Sequence, residues 1–376
     1  MQNKHQKQNI LFIVPTLRRG GAETQVIDLV NAVDPVGFNK TIVIFDKNVE
    51  QLSRINRQTV DFYQYARSSK YDISIFWKIA RLIDEKDIDV IHCTIQVSML
   101  VAKIAVLLAT RKPKILVVIH TTVNFNKKYE LADRYLYRYL MRFCHRIIFV
   151  CRNQAEYWIG KFPELQSLSV VVYNGIDTDF FNQQALIQQG VSLKQKLDIP
   201  EQAAVITCIA GFRIEKGHQY LIEAFAKLPD DVYLLLAGDG VTRSLIEKQV
   251  KENQLENRVI FLGELADVRP VLAATDVTVL TSTSETFSMA MLESMSMQVP
   301  MIATNTGGLS EAIIPGETGD LVPPKDIDAL AKALSQYVIN QNYASNIGAK
   351  ARRLVIEKFS KKTMVQETER LLLEIN

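Results

Sequence analysis

Residues 277–313 read VTVLTSTSETFSMAMLESMSMQVPMIATNTGGLSEAI. Two short apolar runs rich in β-branched residues, VTVLTS (277–282) and VPMIAT (299–304), flank a helical stretch. Each run ends in a polar turn, which is the pattern of strand, turn and helix repeated. Strands apolar on both faces that alternate with helices imply a parallel sheet covered on both sides.

The same alternation runs outward to both ends of the chain. Upstream lie AVITCIAG (204–211), VYLLLAGDG (232–240) and RVIFLG (258–263), and downstream GDLVPP (319–324). The first half has its own set: ILFIVP (10–15), KTIVIF (40–45), DVIHC (89–93), KILVVIH (114–120), RIIFVC (146–151) and SVVVYN (169–174). Helical stretches such as 23–33 and 97–108 separate them. Two successive sets imply an α/β chain of two Rossmann-like, doubly wound domains facing a central cleft. NGIDTDFF (174–181) interrupts the pattern, so the boundary falls between residues 1–175 and 176–357. One helix over 358–374 has no strand after it, and residues 358–376 are expected to pack back on the first domain.

A chain of 376 residues, 48% hydrophobic and 23% charged, fits a two-domain globular protein. No apolar run reaches the roughly 18 residues of a membrane span. The polar, basic residues 1–9 resemble no secretory leader, so the expected location is the cytoplasm. Cys93, Cys144, Cys151 and Cys208 form no C-x-x-C pair and imply neither a disulfide framework nor a zinc site. The net charge of +3 hides a split. Residues 1–175 carry 25 Lys plus Arg against 15 Asp plus Glu, and residues 176–376 carry 19 against 26. A basic half suggests an anionic partner.

In open parallel sheets ligands bind beyond the carboxyl ends of the strands, so the residues just after each strand matter most. After 10–15 comes TLRRGGAE, with Gly20 and Gly21 ahead of a helix; this suits a phosphate at the helix N-terminus or simply a tight turn. After 204–211 come Arg213 and Lys216, able to neutralise a departing diphosphate or to form a solvated surface pair. After 277–282 come Glu285 and, eight positions on, Glu293. A helix beginning near Phe287 would offer the amides of Ser288, Met289 and Ala290 to a diphosphate. Glu293, two turns in, could then accept from a ribose diol, and Glu285 from sugar hydroxyls.

These stretches, together with EKGHQYLIEAFAKL, LLLAGDG and VVYNGID, resemble the retaining glycosyltransferase family 4, which has the GT-B fold. The resemblance covers nearly the whole chain. It implies an acceptor-binding first domain and a second domain that binds a nucleotide-diphosphate sugar (UDP-, GDP- or ADP-linked). By it Gly21 touches the diphosphate, Lys216 and a nearby arginine hold phosphate oxygens, and Glu285 contacts the donor sugar. The amides of Phe287 to Ala290 meet the diphosphate, Glu293 the ribose, and His120 lies beside the donor sugar. Two departures stand out. Gly211 occupies the usual arginine position five residues before Lys216, which leaves Arg213 to serve instead. Thr286, Ser288 and Met289 replace small glycine-like residues after Glu285 and narrow the sugar pocket.

The function expected is therefore a metal-independent, cofactor-free transfer of a hexose-type sugar with retention. The acceptor is expected to be a saccharide, lipid-linked or of a surface polysaccharide (lipopolysaccharide, capsule or exopolysaccharide). A non-hydrolysing nucleotide-sugar epimerase and a non-catalytic GT-B scaffold are the alternatives. A dinucleotide oxidoreductase lacks its glycine fingerprint, and no nucleic-acid module is present. Within residues 126–146, Arg134, Arg138 and Arg142 lie four apart among Tyr135, Tyr139 and Phe143. On a regular helix they form one basic, aromatic stripe suited to an anionic membrane or to the acceptor, which would make the enzyme peripheral at the inner face of the cell membrane.

Overall fold

A computed structural model describes residues 7–69, 72–123 and 127–375. Most of the basic N-terminus and Asn126 lie outside the described residues. The chain divides into two compact units, Met1–Gly175 with Lys361–Asn376, and Ile176–Ser360.

In the first unit β1 (Gln8–Val14), β2 (Phe38–Ile44), β3 (Val60–Gln64), β4 (Val90–Thr94), β5 (Lys114–Ile119), β6 (Arg146–Phe149) and β7 (Ser169–Val171) form one parallel sheet in the order 3-2-1-4-5-6-7. In the second, β8 (Ala204–Ile209), β9 (Val232–Ala237), β10 (Val259–Gly263), β11 (Val277–Leu280), β12 (Met301–Thr304) and β13 (Gly319–Val322) pair in parallel as 10-9-8-11-12-13. Both orders reverse direction beside the first strand of their unit, between β1 and β4 and between β8 and β11. That reversal opens a crevice at the carboxyl ends of the strands.

The helices of the first unit are α1 (Gly21–Ala32), α2 (Ser74–Glu85), α3 (Ile95–Leu108), α4 (Lys127–Ala132), α5 (Arg138–Met141) and α6 (Arg152–Lys161). Those of the second are α7 (Ile187–Lys196), α8 (His218–Phe225), α9 (Arg243–Glu252), α10 (Arg269–Ala273), α11 (Met289–Ser296), α12 (Ile327–Ile339) and α13 (Gln341–Lys358). The last helix, α14 (Lys361–Glu374), belongs to the first unit, where it packs on α1; Gln8 donates to the Leu372 carbonyl at 3.1 Å. Interlocked Ile, Val and Leu fill each sheet face. Ile13, Val43, Ile79, Ile91, Met99 and Val117 are completely buried in one unit, and Ile206, Leu221, Leu234, Val277 and Ile302 in the other. At about 25 cal/mol per Å² of apolar surface, these layers are the main source of each unit's stability.

Four expectations need correction. Strand β3 (VDFYQ) was missed, because an edge strand with only Val60 buried carries no continuous apolar run. The last helix starts at Lys361 rather than Lys358, which closes α13; Phe359 and Ser360 separate the two, and the Phe359 ring packs 5.2 Å from Phe287. The helix expected to begin near Phe287 is α11, which starts two residues on at Met289. Ser288 is its N-cap, with a hydroxyl that accepts from the Met291 amide at 3.4 Å, while Phe287 is drawn into the core. The fourth concerns the arginine stripe. Asp133–Tyr137 is a π-helical segment, whose wider turn takes residues four apart off one line. Arg138 turns inward, 3.4 Å from Glu164 and over the Tyr139 and Phe162 rings, leaving Arg134 and Arg142 exposed.

Candidate active site

In the second unit the chain leaves β8, passes Arg213 and makes one tight turn (Ile214–Lys216) before α8. Gly217 closes that turn at φ +66°. A Cβ there would overlap the carbonyl oxygen of Thr281, so only glycine lets this loop lie against the loop after β11. The two loops are then stitched together. The Thr281 hydroxyl donates to the carbonyls of Lys216 (3.0 Å) and Gly217 (3.1 Å), and the Thr283 amide to Glu215 (2.7 Å).

The stitching places Lys216 Nζ 2.6 Å from Glu285 Oε2, with both side chains only 13% exposed. The buried Ser282 hydroxyl donates to the same carboxylate oxygen at 3.2 Å. Gly307, at φ +57°, passes so close to the Glu285 carbonyl that a Cβ would overlap it, and Gly308 donates to the Thr286 carbonyl at 2.8 Å. Glu285 is thus held from three sides. A charge pair this sheltered has a strong mutual attraction, and each partner becomes costly if the other leaves.

Beside the pair lies the N-terminus of α11. Met291 gives its amide to the Ser288 cap, and the amides of Met289 and Ala290 stand in the open first turn, where the helix favours an anion. Glu293 follows on the next turn. Surrounding protein desolvates its carboxyl, and the nearby Asp267 charge adds to the effect, pushing it up to about 7. This shift disfavours, in the free protein, the carboxylate form expected from sequence. Arg213 stands apart from this cluster: it is 60% exposed and lies 3.1 Å from Glu215.

In the first unit Gly20 caps α1 in extended geometry and Gly21 opens the helix. The Glu23 carboxylate folds back over Gly20, 3.5 Å from Arg18. His120 follows β5 and is half-buried. It lines a small cavity with Gln25, His92, Thr94, Tyr173 and Asn174. Desolvation holds His120 and His92 down to about 4, so both are neutral at physiological pH. His92 was passed over in the sequence as part of an apolar strand; its signal was an imidazole in the middle of such a run. Among the described residues no group of three or more His, Cys, Asp or Glu could hold a metal ion. The four cysteines are buried and unpaired with one another.

The model "Glycosyltransferase Family 4" matches residues 19–180, and "Glycosyl transferases group 1" matches residues 192–354. N-acetyl-alpha-D-glucosaminyl L-malate synthase of Bacillus anthracis is 28% identical over 84% of this chain and 83% of its own length. The lipopolysaccharide core biosynthesis glycosyltransferase LpsE of Rhizobium meliloti is 33% identical, over 48% of this chain and 52% of its own. The fold is also that of Anabaena Alr3699/HepE, solved in complex with UDP and glucose (TM-score 0.85, 22% identity, 96% of this chain and 98% of that one). With one model on each unit, and with the two sheets ordered as described, this chain belongs to the family 4 glycosyltransferases of GT-B fold.

Proposed function

We propose that this glycosyltransferase moves a hexose-type sugar from a nucleoside-diphosphate donor to a saccharide acceptor, with retention and without a metal ion. The observation that carries the reading is the Lys216–Glu285 pair beside the open first turn of α11. A diphosphate at that turn competes with Glu285 for the ammonium of Lys216. Lys216 then offsets charge on the leaving diphosphate, and the released Glu285 accepts from sugar hydroxyls. The bond from the anomeric carbon to the diphosphate breaks, and the acceptor oxygen bonds to that carbon on the same face. The acceptor proton goes to the departing phosphate oxygen. Lys216 and the α11 amides supply the positive field that a metal ion would otherwise provide. UDP-glucose is the first donor to test, since the Anabaena protein of like fold was solved with UDP and glucose. Proton NMR of the product is expected to show an anomeric centre of the donor's own configuration, formed at full rate in EDTA. An inverted product, or EDTA inhibition reversed by magnesium, overturns this mechanism.

A lipid-linked acceptor is favoured by the surface that runs from α4 through the π-helical segment to just past α5. Tyr129, Leu131, Tyr135, Tyr139 and Phe143 are 46–72% exposed, with Arg134 and Arg142 exposed among them. Aromatic and basic residues exposed together suit the boundary of an anionic leaflet, where each Lys or Arg adds up to about 1 kcal/mol. Among the described residues no helix is long and apolar enough to cross a membrane. The protein is expected to float with phosphatidylserine-containing vesicles at low salt and to be released as salt screens the charges. Arg134→Glu with Arg142→Glu is expected to abolish flotation. Wild-type protein that stays in the soluble fraction at low salt argues for a soluble acceptor.

A further inference from the structure

The small cavity that His120 shares with His92 measures about 40 Å³, room for one or two water molecules and nothing larger. His92 and Thr94 on β4 pair with Leu116 and Val118 on β5, so these four point to one face of the sheet. His120 continues that row at the carboxyl end of β5. Of the lining residues only His120 and Tyr173 are part-exposed, while His92, Thr94, Gln25 and Thr368 are buried.

The wall has spare hydrogen-bonding capacity. The Thr368 hydroxyl donates to the Met364 carbonyl at 2.9 Å and can still accept. Gln25 makes one bond from each end of its amide, both to Gly175 at 2.9 Å, and keeps one N–H and one lone pair. A polar cavity of this size holds ordered water when two to four such groups converge on it.

His92 gives that water a direction. Its Nδ1 is enclosed and has no hydrogen-bond partner. The ring is neutral and so carries one proton. On Nδ1 that proton would make a stranded donor, which folded proteins tolerate less than an unmet acceptor. The proton therefore belongs on Nε2, the nitrogen left to face the cavity.

The end of β4 carries a second signal. Ile95, directly after Thr94, sits at φ +66°, a left-handed conformation that a β-branched residue rarely adopts. Backbone strain of this kind gathers at functional sites. β4 also lies beside β1, where the strand order reverses and open α/β sheets bind their ligands.

We propose that His92 is a positioning residue for sugar transfer. Its Nε2–H donates to ordered water in the cavity, and that water donates to the bare ring nitrogen of His120. The remaining N–H of His120 is thereby aimed out of the sheet, as a donor to substrate. The proposal rests on the transferase reading above, and His92 itself touches no substrate.

NMR of protein with isotope-labelled histidine ring nitrogens locates the proton on each of the five imidazoles. His92 is expected to be protonated on Nε2, and His120 to populate a single tautomer. His92→Phe keeps a ring but removes both nitrogens. It is expected to turn His120 into a mixture of tautomers and to lower kcat with UDP-glucose about tenfold, the worth of one hydrogen bond, with KM little changed and melting near wild type. His92→Gln returns an N–H to the cavity and is expected to restore the single tautomer and most of kcat. A His92 proton on Nδ1, or a His120 that mixes tautomers in the wild type, overturns the proposal, and both are read even if His92→Phe does not fold. So does a His120 spectrum that His92→Phe leaves unchanged, since a merely structural role would cost melting temperature and activity alone. Turnover is read separately. The expected tautomers without any sugar transfer sink the transferase reading, and transfer with a His120 indifferent to His92 sinks only the positioning role.

Discussion

Lys216→Ala is expected to lower kcat by about two to three orders of magnitude, the usual loss when one group that stabilises transition-state charge is removed. Lys216 is the cation at the switch point of the second unit, 2.6 Å from Glu285 and largely sheltered from water. Charge on a leaving diphosphate is greatest in the transition state, so the loss appears in kcat more than in KM. The substitution also strands Glu285 with Ser282 as its remaining side-chain donor, which costs stability. Lys216→Met, of similar volume, together with Glu285→Gln separates the two effects: it removes both charges, restores the melting temperature toward wild type and leaves kcat low. A Lys216→Ala enzyme within tenfold of wild type would mean that the donor site lies elsewhere. Glu293→Gln behaves differently. The Glu293 carboxyl is raised from 4.5 to about 7 in the folded chain. Between those values the folded state holds more protons than the unfolded one, so stability falls as pH rises through the window. Glutamine removes that slope, and melting temperatures measured from pH 4.5 to 7 should flatten accordingly.

Gly307→Val should be as damaging, for a purely steric reason. Gly307 sits at φ +57° with the Glu285 carbonyl where a Cβ would be. A β-branched residue must leave that conformation or push the loop carrying Glu285 and Thr286 away. Strain and overpacking together cost roughly 2–5 kcal/mol. The melting temperature is expected to fall by roughly 5–15 °C, with activity lost even where the protein still folds, since Glu285 is the group displaced. Gly160→Ala is the control. It lies in α6 with nothing within 4 Å of the added carbon, and should change stability by less than about 1 kcal/mol. A Gly307→Val protein with wild-type melting and turnover would show that the two loops do not depend on each other.

Much of this was legible along the chain, because local periodicity reports burial. Runs such as VYLLLA (232–237) and ILVVI (115–119) are apolar at every position, and a strand of that kind is stable only inside a covered parallel sheet. The other strands show as apolar runs; β3 does not, because Asp61 and Gln64 interrupt the apolar residues of VDFYQ. The placement of Lys216, Glu285 and His120 just after strands was readable for the same reason. Tertiary structure alone decided which of these residues meet. Lys216 and Glu285 are 69 positions apart, and their contact depends on β8 lying beside β11 and on two glycines with positive φ that let the loops touch. The inward turn of Asp133, the capture of Arg138 by Glu164 and the neutral pair His92 and His120 are of the same kind. Each depends on the field and space made by residues distant in the chain. A sequence pattern records how often a residue is buried, but not which group shares the burial.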